Sequence, residues 1–100
     1  MSVLIKIHKT HRMIVAICDP DLVGKELEQD NLQLKVNEQF YKGEAYEEEK
    51  AIQILKDCQS EDACFNFVGA HAVDIGKKAG IINENCTLNI NGIPHALALL

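Results

Sequence analysis

The chain has 100 residues, 47% of them hydrophobic and 25% charged. That is ordinary for one soluble globular domain spanning residues 1–100 and leaves no room for a second core. A net charge of −5 gives no support to broad nucleic-acid binding, which shows a basic stripe, and leaves such a partner only a local patch.

Other classes fall away on the same grounds. No run approaches the roughly 20 apolar residues of a membrane span. Residues 1–18 hold Lys6, His8, Lys9, His11 and Arg12 in place of the continuous apolar stretch of a secretory leader. Cys18, Cys58, Cys64 and Cys86 include no C-x-x-C pair, so a zinc ribbon or thioredoxin-type motif has no basis. A cytoplasmic protein with reduced thiols is expected.

In chain order, the β-rich runs 3–8 and 13–18 flank the polar residues 9–12 and predict an opening hairpin. The second run is apolar nearly throughout, which suits a central strand covered on both faces. Asp19-Pro20 reads as a helix start, but residues 21–27 support only a turn or two. Residues 32–36 alternate strictly and predict a third strand. A loop over 37–43 carries the adjacent aromatics Phe40 and Tyr41, with Phe40 expected in the core and Tyr41 at the rim.

Residues 44–58 predict a helix with Glu44, Glu47, Glu48 and Glu49 near its positive end and Ala51, Ile52, Leu55 and Cys58 buried. A second helix is expected to end at Ala79, starting after Ser60 or after Asn66, with Cys64, Phe65, Val68, Ala72, Ile75 and Ala79 as its stripe. Asn91-Gly92 is a two-residue hairpin turn. It pairs Ile90 with Ile93, Asn89 with Pro94, Leu88 with His95, Thr87 with Ala96 and Cys86 with Leu97. Alternation then places His95 on one face with Leu88, Ile90, Ile93, Leu97 and Leu99, directed at the core. The whole predicts an α+β fold: a largely antiparallel sheet with N- and C-terminal hairpins and two main helices packed on one face.

Four groups of residues bear on chemistry. His95 with Cys86 is the catalytic candidate, but the two are diagonal neighbours about 7–8 Å apart, and a Cys-His nucleophile needs hydrogen-bond contact and a third group. A satisfied, half-buried imidazole is the simpler reading. His8, His11, His71 and His95 lack metal-ligand spacing, so no metal or cofactor is assigned, and His8 and His11 read as solvated. Asn66 and Gly69 offer a polar group and a bare backbone that a ligand can approach; alternatively Gly69 serves close approach of a helix to the sheet. Tyr41 and Lys42 offer a loop binding anchor.

The stretches at 14–19, 22–25, 40–44, 66–69, 79–82 and 92–96 together resemble, in order, the DUF424 family of uncharacterised archaeal proteins. Leu97 stands where the family pattern continues with Gln. The resemblance implies a compact α+β domain in an archaeal cytosol and brings no activity with it. Analogy with small accessory proteins points to translation or RNA metabolism. The leading expectation is a non-enzymatic binding module on a protein or ribonucleoprotein partner, with Tyr41, Lys42, Asn66, Gly69 and His95 as recognition groups. The rival is a small enzyme using His95 as general acid/base with a nearby cysteine. Homodimerisation through a free strand is a third reading.

Overall fold

The structure is a computed structural model that describes residues 2–98. A six-stranded sheet is built from β1 (Ser2–Lys9), β2 (Met13–Cys18), β5 (Glu44–Glu47), β6 (Cys64–Val68), β7 (Thr87–Ile90) and β8 (Ile93–Ala98), in the spatial order β5-β1-β2-β6-β8-β7. Every pairing is antiparallel except β2 with β6. A separate hairpin joins β3 (Glu26–Gln29) to β4 (Leu32–Lys35). The helices are α1 (Glu38–Tyr41), α2 (Glu48–Gln59) and α3 (Ala70–Lys78). The fold is α+β, with both terminal hairpins present, and no described helix is long and apolar enough to cross a membrane.

The two faces of the sheet are covered differently. On one, α2 and α3 close a core of Val3, Ile5, Val15, Ile17, Phe65, Phe67, Ala96 and Ala98 against Ala51, Leu55, Ala72 and Ile75. Small residues on β8 let α3 come close. Closer still is the approach at Gly76, where a Cβ would fall 2.7 Å from the Phe67 ring. On the other face, the segment from Leu22 to Tyr41 buries Ala16, Cys18, Val68 and Ile90. It covers only part of that face. β2, apolar throughout, is buried on both sides of its C-terminal half, as its composition requires.

Three expected elements are corrected. Cys64–Val68 is a strand, and helix α3 begins only at Ala70. The apolar residues 64, 65 and 68 mimic a helical stripe, but Phe65 and Phe67 share one face of a strand that pairs with both β2 and β8. A five-residue segment with four apolar positions fits either period, and the two flanking ladders decide it. Likewise Glu44–Glu47 pairs with β1 as an edge strand before α2 starts at Glu48. Its glutamates favour helix locally, yet charged residues also suit an exposed edge. Finally, Glu26–Gln29 is a strand facing β4, and among the described residues the only helix before it is the single turn Pro20–Leu22. The 37–43 loop, in turn, contains the one-turn helix α1, capped by the Asn37 side chain on the Gln39 amide at 2.7 Å.

Candidate functional site

The C-terminal hairpin has the register its turn demands: Ile90 opposite Ile93, Asn89 opposite Pro94, Leu88 opposite His95 and Thr87 opposite Ala96. Asn91 and Gly92 take φ of 51° and 83°, as a type I′ turn needs. His95 does share a face with Leu88, Ile90, Ile93 and Leu97; Leu99 lies outside the described residues. That face is not the main core, which belongs to Ala96 and Ala98 on the other side. Ile90 and Ile93 turn into the second cluster, while Leu88 and Leu97 stay 55% and 54% exposed. His95 is half-buried between these two environments, and desolvation lowers its pKa below the ordinary imidazole value.

Cys86 does not join it. Cys86 sits in a single helical turn, Glu84–Cys86, ahead of β7, is exposed, and turns its thiol to Asn83 Oδ1 at 3.6 Å. The pairing of Cys86 with Leu97 therefore does not form. β7 starts only at Thr87, and the Asn83 side chain caps the preceding turn on the Asn85 amide.

Asp19 has a role that reading Asp19-Pro20 as a helix start missed. It precedes the Pro20–Leu22 turn but makes no side-chain bond there. Instead its buried carboxylate accepts from the backbone amides of His71 at 3.2 Å and Ala72 at 2.8 Å, capping α3 from 52 residues away. The parallel pairing of β2 with β6 brings the two ends together, and Asp19 N donates to Val68 O at 3.0 Å. Gly69 follows. Its φ is 109°, and a Cβ there would lie 2.3 Å from Asp19 Cγ. Gly69 thus makes room for the Asp19 carboxylate and is buried, so it offers no open backbone to a ligand; the helix approach expected of it belongs to Gly76.

The aromatic pair is reversed relative to expectation. Tyr41 is 5% exposed and Phe40 is half-buried. Burial, with Cys18 close by, pushes the Tyr41 hydroxyl up to about 12. Burial next to Asp19 and Asp21 pushes the Cys18 thiol up to about 12 as well, so both groups are neutral at neutral pH. Phe40 instead stacks on His8, with ring centroids 4.6 Å apart and 14° between planes, and Phe40 O is 2.9 Å from His8 Nε2. His8 is therefore half-buried and bonded, not solvated. The signal was its alternation with Leu4 and Lys6, which puts it on the face that α1 covers. Lys42 follows α1 and is exposed.

Across the open part of this face the strands set residues in rows. One row runs Lys6, Ala16, Asn66, Leu97; the next runs Leu4, Cys18, Val68, His95, Leu88. Asn66 and His95 are thus diagonal neighbours with an exposed leucine beside each. Of the expected binding residues, the sheet brings Asn66 and His95 together, leaves Lys42 at a corner, and buries Tyr41 and Gly69 elsewhere.

Two clefts lie away from this surface. A cleft of about 430 Å³ between α2 and α3 is lined by Glu48, His71, Asp74, Ile75 and Lys78. Lys78 bridges Glu48 at 2.8 Å and Asp74 at 3.2 Å inside it. The other, about 420 Å³, runs between α3 and the C-terminal hairpin past Thr87, Asn89 and Pro94. Among the described residues no group of three or more His, Cys, Asp or Glu could hold a metal ion.

The family model described as a protein of unknown function (DUF424) matches residues 8–99. The chain belongs to the DUF424 family. The chain is similar to a solved structure, the crystal structure of an uncharacterized conserved protein from Methanopyrus kandleri, at 29% identity and a TM-score of 0.87, covering 97% of this chain and 90% of that one. No curated protein matches the chain.

Proposed function

We propose that this DUF424 protein is a non-enzymatic accessory module of the archaeal cytosol that docks on a ribonucleoprotein through the open part of its sheet. The observation that carries the reading is the row structure around Asn66 and His95. There a half-buried amide and a neutral imidazole lie between Leu88 and Leu97, each more than half exposed. Aliphatic side chains on a rigid sheet interleaved with polar groups supply the apolar centre and hydrogen-bonding groups of a binding surface. A connection to translation or RNA metabolism rests on analogy with small accessory proteins.

The enzyme reading needs His95 in hydrogen-bond contact with a nucleophile and a group to orient its ring. Among the described residues no hydrogen bond joins His95 to Cys86, whose thiol is turned to Asn83, and neither cleft is lined by His95. Tagged protein recovered from an archaeal lysate tests the binding reading. Wild type is expected to bring down a defined protein or RNA component, and the double variant Leu88→Lys, Leu97→Lys to lose it while remaining folded. Wild type eluting alone would sink the proposal.

A further inference from the structure

Charge is unevenly distributed along this chain. All 15 acidic residues lie at or after Asp19, while residues 1–18 carry Lys6, Lys9 and Arg12 together with His8 and His11. The first 18 residues are therefore +3 and the remainder, −5 minus +3, is −8. The β1–β2 hairpin gathers that positive charge at one corner. Lys9 pairs with Met13 at the end of the ladder, and residues 9–12 are exposed at its tip.

Two of these cations have carbonyl partners. Lys6 Nζ donates to Gln39 O and Arg12 Nε to Asp62 O at 3.1 Å, so carbonyl oxygens, not carboxylates, hold them in place. Among the described residues, Lys6, Lys9, Arg12 and Lys42 form no ion pair, whereas Lys78 on the helical side forms two. Lys42 joins the same corner, because Gly43 packs directly on Ile5 O and the Lys6 side chain. Between these cations lies the His8–Phe40 stack, continued inward by Tyr41 edge-on to Phe40 at 4.8 Å.

We propose that this corner binds RNA: Lys6, Lys9, Arg12 and Lys42 take the phosphates, and a base packs at the His8–Phe40 stack. Aromatic rings among unpaired cations match a polyanion that carries flat rings. An acidic peptide would use only the cations. The −8 of the rest of the chain repels a phosphate backbone and confines it to this corner. The inference rests on the binding-module reading and names its RNA partner.

Fluorescence anisotropy of the full chain with a labelled single-stranded RNA of roughly 15 nucleotides tests it. Four neutralised phosphates give a slope of about −3 in log affinity against log salt, so tripling salt from about 50 mM weakens binding about 20-fold. Lys9→Glu with Arg12→Glu, both exposed, is expected to weaken RNA binding by more than about 10-fold with an unchanged Tm. Phe40→Leu keeps an apolar side chain but is expected to lose about 5-fold or more, the low end of base stacking. Equal affinity for polyglutamate, no anisotropy change at about 50 mM salt, or full binding by the charge-reversed pair would each overturn the proposal. If RNA binding fails while the Leu88/Leu97-dependent partner is still recovered, only the RNA partner is wrong. If that partner also fails, the binding-module reading goes with it.

Discussion

The two faces of the sheet differ in how they are closed. The helical face is sealed by α2 and α3 over Phe65 and Phe67, and its fit is tight enough that Gly76 admits no Cβ. The opposite face is closed at one end by the 22–41 segment and left open at the other, where Leu88 and Leu97 meet solvent. A core side carries stability because every lost methylene leaves a void. An open side can change with little cost to the fold, which is what a recognition surface requires. Asp19 links the two regions: it leaves β2, lies under Gly69, and holds the first turn of α3 in place.

Substitutions separate the two faces. Phe67→Ala on the sealed face is expected to cost about 3–5 kcal/mol by urea unfolding; a cost below about 1 kcal/mol would mean the helical side is not the main core. Next comes Asp19→Ala, which strips a carboxylate acceptor from the buried Ala72 amide and the part-buried His71 amide and should cost about 2–3 kcal/mol. Asp19→Asn keeps an amide oxygen and should recover part of that loss, whereas a purely steric role for Asp19 predicts no recovery.

Gly76→Ala pits overpacking against Phe67, about 1–3 kcal/mol, against about 1 kcal/mol of gained helix propensity. A net loss of Tm is expected, and a gain would show that α3 can slide away from the sheet.

The open face gives smaller effects. The pKa of His95 is lowered by burial from its ordinary value of 6.5, so the unfolded chain takes up this proton first. Folding stability from this group is thus undiminished above about pH 6.5 and falls as pH drops through that value. Tm measured from about pH 7.5 to about pH 5 should fall more steeply for wild type than for His95→Gln; parallel curves would place the imidazole in water. Leu88→Ser and Leu97→Ser should each shift stability by no more than about 0.5 kcal/mol. A loss as large as that of Phe67→Ala would erase the distinction between the faces.

Much of the fold was legible where local chemistry leaves one answer. Asn91-Gly92 requires positive φ at both positions, and that alone set four residue pairs correctly. The apolar run 13–18 had to be central, and it is. Legibility failed at Cys64–Val68, where five residues fit two periods, and at Glu44–Glu47, where strand pairing overrides helix-forming glutamates. The site was half legible for the same reason. Asn66 and His95 were named from residue type, but their adjacency depends on β6 being a strand between β2 and β8. Tyr41 and Phe40 exchanged places because one turn of helix, absent from the expected loop, rotates Tyr41 inward.

Sequence alone determined the family, the α+β class, both terminal hairpins and the concentration of positive charge before Asp19, since each depends on neighbours in the chain or on composition. Tertiary structure alone decided which face of the C-terminal hairpin is buried, that Asp19 caps a helix 52 residues away, and that His8 stacks on Phe40. Those depend on which strands lie side by side, and strand order is set by the burial of whole faces rather than by local preference.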